Sequence, residues 1–285
     1  MKLPKLNAGD WLKFARQRLR SIEDGGLAAQ VLLAHVLGKS REFILAHPEF
    51  VLEQEHIARL ENLITRLKQG EPLAYLTGKQ EFFGLTYVVS PAVLIPRPET
   101  ELLVERALEW LRRNPNRRKA ADVGSGSGCI AGTLAYHVPD LKCVTIERSW
   151  QALRIARQNF EQLQVSQRVY PILGNLLDAV GGVFDLVCAN LPYIPTNELT
   201  QLAVSRFEPR LALDGGYDGL DWIAALIGDS KRWLAKGGLL LLEIEAGQAE
   251  KVAQLVYLNL STAKIEVIHD LQGLPRLVWV EQDLS

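Results

Sequence analysis

The chain has 285 residues, 48% of them hydrophobic and 23% charged, a composition typical of a globular protein and a length that favours two domains. Its formal net charge of −1, from 32 basic and 33 acidic residues, argues against a nucleic-acid enzyme, which would more often carry a basic face for phosphates. No run of about 18 apolar residues occurs and the amino terminus lacks an apolar signal core, so we expect a cytoplasmic protein without a membrane span.

Residues from about 8 to 78 show helical periodicity and no strand-like alternation. An apolar stripe runs from Leu27 to Leu37 and stops at Gly38, a residue type that commonly ends helices, and Glu53 to Lys68 repeats the pattern. The simplest structure for such segments is a small helical bundle, which we assign to residues 1–78.

The next segment, from Phe82 to Ile95, becomes β-like around Gly84 and Pro91. It predicts a hairpin, so we assign residues 79–96 to a β-hairpin linker between two domains.

From residue 97 to 285, strand-like and helix-like patterns alternate, which predicts an α/β fold with a doubly wound sheet. Helices are expected from about Glu99 to Arg112 and from Leu220 to Leu234. Seven strand-like runs follow one another: Lys119–Val123, Leu141–Ile146, Val169–Leu173, Phe184–Ala189, Gly238–Glu243, Ile265–Ile268 and Leu277–Val280. The last two are expected to close the sheet as an antiparallel pair.

The first of these strands runs directly into a glycine loop, Gly124-Ser125-Gly126-Ser127-Gly128. Glycines at this spacing allow a sharp turn and let a ligand approach the backbone with no Cβ in the way. The dinucleotide fingerprint requires a glycine where Cys129 stands, and no P-loop pattern is present. The loop therefore favours a nucleoside joined to a sulfonium amino acid over a pyrophosphate.

The second strand ends in Glu147, about 20 residues beyond the glycines, where folds of this kind hydrogen-bond ribose hydroxyls. A surface charge at a strand end is the simpler alternative, but the spacing favours the ribose role. Ser149 is expected to cap the helix that starts near Trp150.

The most informative segment is Asn190-Leu191-Pro192-Tyr193, which follows the buried strand Phe184–Ala189. Leu191 precedes a proline and Pro192 has a fixed φ, so the backbone stays extended and its carbonyls remain free to accept hydrogen bonds. An amide side chain, free carbonyls and an aromatic ring form a suitable site for a planar NH2 group. On its own, the segment is equally compatible with an ordinary turn at a strand end.

The three cysteines, Cys129, Cys143 and Cys188, lie in or beside predicted core segments and lack the spacing of metal ligands. We expect buried, reduced thiols. The five histidines are scattered along the chain, so no metal site is expected.

Several motifs in this order resemble those of the protein-(glutamine-N(5)) methyltransferases that modify peptide chain release factors, the PrmC/HemK family. Besides the glycine loop and the Asn-x-Pro-Tyr turn, the resemblance depends on the segments Gly70–Gly78, Phe82–Leu85, Val93–Glu101, Glu208-Pro209, Gly215–Leu220 and Leu242–Ile244. It covers nearly the whole chain. Leu191 stands where the family usually has proline, Glu147 replaces the more usual aspartate, and Glu245 stands where glycine is frequent.

The resemblance implies a class I methyltransferase that uses S-adenosyl-L-methionine and methylates the glutamine of a Gly-Gly-Gln loop in release factors. It implies a catalytic segment, Asn190, Leu191, Pro192 and Tyr193, and cofactor contacts by Gly124, Ser125, Gly126, Ser127, Gly128, Glu147, Asn175, Leu176 and Asn190. It further implies that the helical domain helps to bind the release factor. We expect a monomer, with no nucleic-acid partner except through the ribosome.

In the mechanism that the sequence favours, the Asn190 side-chain oxygen and the Leu191 carbonyl accept the two hydrogens of the target amide, while Tyr193 packs on its plane. Two alternatives remain at this point. An adenine amino methyltransferase acting on rRNA or DNA would use the same turn, since Asn-Leu-Pro-Tyr also resembles rRNA adenine dimethylases. A module that binds the cofactor without catalysis would need the glycine loop but not the turn.

Overall fold

The computed structural model describes residues 6–283, and the chain divides into two units at the junction of Gly78 and Lys79. In its described part, the first unit contains five helices: α1 (Ala8–Arg18), α2 (Gly25–Leu37), α3 (Arg41–Ala46), α4 (Gln54–Lys68) and α5 (Leu73–Thr77). Their apolar faces form one core, with Trp11, Leu32, Leu33 and Ile64 fully buried.

Local sequence signals explain where these helices begin and end. The Asn7 side chain accepts a hydrogen bond from the Asp10 N–H at 2.8 Å and caps α1. Gly38 ends α2 in the left-handed conformation with φ +62°, which only glycine adopts without strain.

The second unit opens with a hairpin of β1 (Lys79–Phe82) and β2 (Leu85–Val88). Its two-residue turn has positive φ at both Phe83 and Gly84, the geometry that matches the twist of a two-stranded ribbon. The hairpin thus begins and ends earlier than the predicted segment 82–95. Strand pairing stops before Pro91 and Pro96, which have no N–H to contribute to a ladder.

A seven-stranded sheet forms the centre of the second unit, and it confirms the predicted doubly wound architecture. Its strands are β3 (Lys119–Val123), β4 (Lys142–Glu147), β5 (Val169–Leu173), β6 (Phe184–Ala189), β7 (Leu234–Glu243), β8 (Lys264–His269) and β9 (Pro275–Glu281). They lie in the order β5-β4-β3-β6-β7-β9-β8. The first five are mutually parallel, and β9 pairs antiparallel with both β7 and β8.

Helices cover both faces of this sheet. Successive residues of a strand face opposite sides, so each strand contributes apolar side chains to two cores. Leu186 and Leu241 belong to one core and Val187 and Leu240 to the other. The helices are α6 (Pro98–Arg113), α7 (Cys129–His137) and α8 (Trp150–Gln162) on the first side, then α9 (Asp221–Gly228), α10 (Ser230–Trp233) and α11 (Ala249–Asn259).

One predicted helix differs from the structure. The segment 220–234 is divided into α9 and α10 around Gly228 and Asp229, and β7 begins at Leu234 rather than Gly238. Within residues 6–283, no helix combines the length and the apolar character that crossing a bilayer requires.

Candidate active site

A cleft of about 990 Å³ opens at the carboxyl edge of the sheet, where β3 and β6 lie side by side. The chain order reverses at this point, and open α/β sheets bind ligands there. Its walls come from the loops after four parallel strands and from the segment that leads into α6. They include Arg97, Thr100, Gly124, Ser125, Gly126, Ser127, Glu147, Arg148, Leu176, Asn190, Leu191, Pro192 and Trp222.

The glycine loop adopts a conformation that depends on glycine. Gly124, Gly126 and Gly128 have φ values of +76°, +52° and +77°, and a Cβ on Gly124 would lie 3.0 Å from Leu191 Cδ2. The backbone is therefore bare where the loop faces the cleft. Gly128 does not line the cleft, and a Cβ there would lie 2.6 Å from the Phe160 ring, so this glycine has a packing role. It allows α7 to pack closely against α8.

Glu147, the last residue of β4, is half-buried in the cleft wall and held by two backbone donors. Its Oε2 accepts from the Gly126 N–H at 2.9 Å and its Oε1 accepts from the Ser149 N–H at 2.8 Å. A carboxylate can accept about four hydrogen bonds, so each oxygen keeps capacity for a ligand hydroxyl. Ser149 also caps α8 as predicted, because its Oγ accepts from the Ala152 N–H at 3.2 Å.

The two residues predicted on the adenine side separate in the structure. Leu176 lines the cleft, whereas the exposed Asn175 donates from Nδ2 to Asp178 Oδ2 at 3.2 Å and does not line it. In this structure the Asn175 amide thus bonds to a carboxylate three residues away, and its contact with the cofactor stays a prediction.

The predicted catalytic segment lies between the cleft and a second cavity. This cavity, of about 520 Å³, is lined by Leu94, Arg97, Asn190, Leu191, Tyr193, Ile194, Val204, Ala212 and Leu213. Asn190 and Leu191 are common to both walls, whereas Pro192 lines only the first and Tyr193 only the second. A donor in one cavity and an acceptor in the other would meet at this turn.

Each residue of the turn is fixed by contacts. Asn190 is half-buried and donates from Nδ2 to Thr100 Oγ1 at 3.0 Å, and Leu191 is buried beside Gly124. The Tyr193 carbonyl accepts from Gln248 Nε2 at 3.0 Å. Burial raises the pKa of the Tyr193 hydroxyl to about 12, so the ring is neutral near pH 7.

A partly buried ion pair fixes Arg97 in the wall of the second cavity and was not predicted from the sequence. Glu208 is 5% exposed, its Oε2 accepts from the Ile95 N–H at 3.1 Å, and its Oε1 accepts from the Arg97 guanidinium. It joins the segment before α6 to the loop after β6. Both residues stood in motifs that carried the family resemblance, and that was their only sequence signal.

Two further cleft residues were also missed. The Arg148 guanidinium carbon lies 4.2 Å from the centre of the Trp222 ring, a cation–π arrangement. The Trp222 Nε1 donates to the Asp214 carbonyl at 3.0 Å, which fixes the ring in the wall. Arg148 adjoins Glu147 in sequence, but its aromatic partner is far away along the chain.

Two buried carboxyl groups lie at the ends of strands near the cleft. Burial raises the pKa of Asp122 to about 7, against the opposing effect of its hydrogen bond from the Ala131 N–H. Burial likewise raises the pKa of Glu243, the last residue of β7, to about 7. Glu245, which the sequence left unexplained, caps the turn after β7 by accepting from the Gly247 N–H at 2.7 Å.

Within residues 6–283, no group of three or more histidine, cysteine, aspartate or glutamate side chains is arranged to hold a metal ion. Cys129, Cys143 and Cys188 are buried free thiols, as predicted. Burial raises the pKa of all three, which keeps them protonated.

The fold is that of solved methyltransferases. The hMettl16 catalytic domain, determined in complex with a MAT2A 3′UTR hairpin, aligns with a TM-score of 0.57 at 14% identity, over 89% of this chain and 91% of that chain. A methyltransferase from Pyrococcus furiosus aligns with a TM-score of 0.51 at 16% identity, over 81% and 100%. Together with the glycine loop and the carboxylate at the end of β4, these matches identify the class I methyltransferase fold.

The sequence relationships are closer. Residues 10–78 match the PrmC N-terminal domain family and residues 99–209 match the methyltransferase small domain family. The release factor glutamine methyltransferase of Nitratidesulfovibrio vulgaris is 40% identical over 96% of this chain and 94% of its own length, and that of Escherichia coli is 39% identical over 86% and 88%. The chain belongs to the release factor glutamine methyltransferase family, which confirms the predicted resemblance.

The cleft fits S-adenosyl-L-methionine, the cofactor of this class. The bare backbone at Gly124 and Gly126 admits a ligand closely. Glu147 offers carboxylate oxygens suited to ribose hydroxyls, while Leu176 and Trp222 supply apolar surface for a base.

Proposed function

We propose that this protein transfers a methyl group from S-adenosyl-L-methionine to the side-chain amide nitrogen of the glutamine in the Gly-Gly-Gln loop of peptide chain release factors. The observation that supports it best is the position of Asn190 and Leu191 in the wall between two adjoining cavities. One cavity has the glycine loop and the carboxylate that suit the cofactor. The other, lined by Tyr193 and apolar side chains, suits a planar amide.

The donor side of the site holds the cofactor through residues of the first cleft. In our assignment the backbone of Gly124 to Ser127 faces the amino-acid portion, Glu147 accepts from the ribose hydroxyls, and Leu176 contacts the base. S-adenosyl-L-methionine, when bound, supplies a methyl group on a positively charged sulfur, and the carbon–sulfur bond breaks as the carbon–nitrogen bond forms.

The acceptor side must act on a weak nucleophile, because an amide nitrogen delocalises its lone pair into the carbonyl. We assign the Asn190 Oδ1 and the Leu191 carbonyl as acceptors for the two amide hydrogens, with the Tyr193 ring against the amide plane. Positive charge grows on the nitrogen during transfer, so these fixed acceptors stabilise the transition state more than the ground state. The proton that the nitrogen loses goes to water.

Roles for the two units follow from the same proposal. We assign residues 1–78 to recognition of the release factor, residues 79–96 to a linker that includes the hairpin, and residues 97–285 to catalysis. The match of residues 10–78 to the PrmC N-terminal domain family supports the first assignment. Because release factors act on ribosomes, we place the enzyme in the cytoplasm, and we expect it to be a monomer.

The test is methyl transfer by the full chain to a purified release factor, read by mass spectrometry of the Gly-Gly-Gln peptide. We expect one added methyl group on that glutamine, none on a release factor whose glutamine is replaced by alanine, and none without the cofactor. Label in rRNA or DNA alone would favour the adenine reaction instead. Cofactor binding without transfer to any of these would indicate a non-catalytic module.

A further inference from the structure

A buried polar row lies beside Asn190 and involves two residues with no role assigned so far. Thr100, in the first turn of α6, is 2% exposed, and Glu243 is 3% exposed. The register between β6 and β7 pairs Ala189 with Leu242, so Asn190 and Glu243 are the next residues along neighbouring strands. Glu243 lines neither cavity, and its Oε2 has no hydrogen-bond partner.

The direction of the hydrogen bonds in this row decides which atom of the Asn190 amide faces the substrate. Asn190 Nδ2 donates to Thr100 Oγ1 at 3.0 Å, so the single hydrogen of that hydroxyl needs another acceptor. Glu243 is the buried carboxyl beside both residues; burial raises its pKa, and interaction with Thr100 and Asn190 opposes that rise, so we take this carboxyl as the acceptor. When this carboxyl is ionised it can only accept, so the row then runs from Asn190 to Thr100 to Glu243.

The reverse orientation of the amide would break this row. If the Asn190 oxygen faced Thr100, the hydroxyl would donate to Asn190 and the carboxylate would lose its donor in a buried place, which is costly. The amide nitrogen would then face the cavities, where it cannot accept the hydrogens of a glutamine amide. Asn190 alone is therefore insufficient to bind the target amide. In one orientation its side chain offers the cavities an accepting oxygen, and in the other a donating NH2 group.

We propose that Thr100 and Glu243 are positioning residues that hold the Asn190 amide with its oxygen toward the substrate and its nitrogen toward the protein. The proposal rests on the proposed function, since it deepens the role given there to Asn190. Neither residue needs to contact the target amide.

The proposal has a dependence on pH with a defined sign. The charged and titratable groups facing Glu243 are Glu99 on α6, Cys129 on α7, Tyr193 after β6 and Arg276 on β9. Burial is the largest cause that raises the Glu243 pKa to about 7, and Arg276 opposes it. Above that pH the carboxylate only accepts and fixes the row. Below it, the protonated carboxyl can donate to Thr100, so the row can reverse and kcat falls.

Three substitutions test it. Thr100→Val keeps the shape and removes the hydroxyl, Thr100→Ser keeps the hydroxyl, and Glu243→Gln keeps the shape but can donate. We expect kcat to fall about tenfold in Thr100→Val and Glu243→Gln, as for residues that orient an active group, and to stay within about twofold of wild type in Thr100→Ser. Affinity for S-adenosyl-L-methionine, measured by calorimetry, should change by less than about threefold in all of them. Glu250→Gln, at an exposed glutamate in the first turn of α11, is the matched control.

The pH profile separates positioning from a general loss of stability. Wild-type kcat should rise with pH through about 7, and Glu243→Gln should lose that step. Equal kcat for Thr100→Val and wild type, equal losses for Thr100→Val and Thr100→Ser, or an unchanged step in Glu243→Gln would overturn the proposal. If Glu243→Gln fails to fold, as judged by thermal unfolding, the Thr100 pair decides. Wild type that leaves the release-factor glutamine unmethylated refutes the proposed function and this inference with it, whereas full wild-type transfer with unaffected variants refutes the inference alone.

Discussion

Two parallel strands of one sheet end in a glutamate at the same edge, yet their surroundings give the two carboxyl groups different chemistry. Glu147, at the end of β4, is half-buried in the cleft wall and accepts from two backbone N–H groups. Glu243, at the end of β7, is buried and lines neither cavity, and one of its oxygens has no partner. The first can bind a ligand and the second can only act on other side chains. The position of a carboxylate at a strand end therefore does not define its role. Its burial and the groups that donate hydrogen bonds to it must also be known.

The largest expected effect tests the acceptor region. Asn190→Ala should lower kcat by ~10²-fold or more, because it removes one oriented acceptor from the transition state. Affinity for S-adenosyl-L-methionine, measured by calorimetry, should fall by less than about tenfold, since at most one neutral hydrogen bond is lost. Asn197→Ala, at a nearby exposed asparagine, is the control. Near-normal turnover would remove Asn190 from the mechanism.

The donor region is tested by Glu147→Gln. A glutamine keeps only one accepting oxygen, so the Gly126 or Ser149 N–H loses its partner and the ribose loses a charged acceptor. We expect the dissociation constant for S-adenosyl-L-methionine to rise about tenfold, with kcat at saturating cofactor nearly unchanged. Equilibrium binding and steady-state kinetics measure the two, with Glu161→Gln on the exposed face of α8 as control. A fall in kcat without weaker binding would contradict the division between the two regions.

A smaller effect is expected where the regions touch. Leu191→Pro keeps the carbonyl that we assign as an acceptor for the substrate amide but removes part of the apolar contact with Gly124. We expect kcat to change by less than about threefold and the free energy of unfolding, from urea denaturation, to fall by about 1–2 kcal/mol. A large loss of kcat with unchanged stability would show that the Leu191 side chain, and not its carbonyl, matters to the reaction.

The smallest effect is expected at Asn175. Since its side chain is exposed and bonded to Asp178, Asn175→Ala should change cofactor affinity and kcat by less than about twofold. A change comparable to that of Glu147→Gln would mean that the side chain turns into the cleft when the cofactor binds.

Local signals in the sequence were enough to predict much of the fold. The helix end at Gly38, the cap at Ser149 and the seven strands all depend on residues within a few positions of one another. The glycine loop and the Asn190 turn were located for the same reason. The division of the helix at Gly228 was missed because the buried positions on either side of it, Ile227, Ser230 and Trp233, continue one helical spacing.

Roles that depend on distant partners were not accessible in the same way. Gly128 leaves room for the Phe160 ring, which a Cβ at this position would meet. Glu208 accepts from Arg97, which lies 111 residues away in sequence. Glu243 lies beside Asn190 only because β7 pairs with β6. Periodicity and spacing carry no information about such contacts, whereas the family resemblance marked the segments without explaining them.

The wall shared by the two cavities limits how this enzyme could be redesigned. Because Asn190 and Leu191 line both cavities, a substitution there alters the walls of both sites that we propose, the one for the methyl donor and the one for the acceptor amide. Ile194, Val204 and Leu213 line only the second cavity. Substitutions at these three positions can change the selectivity for the acceptor while the cavity proposed for the methyl donor keeps its lining.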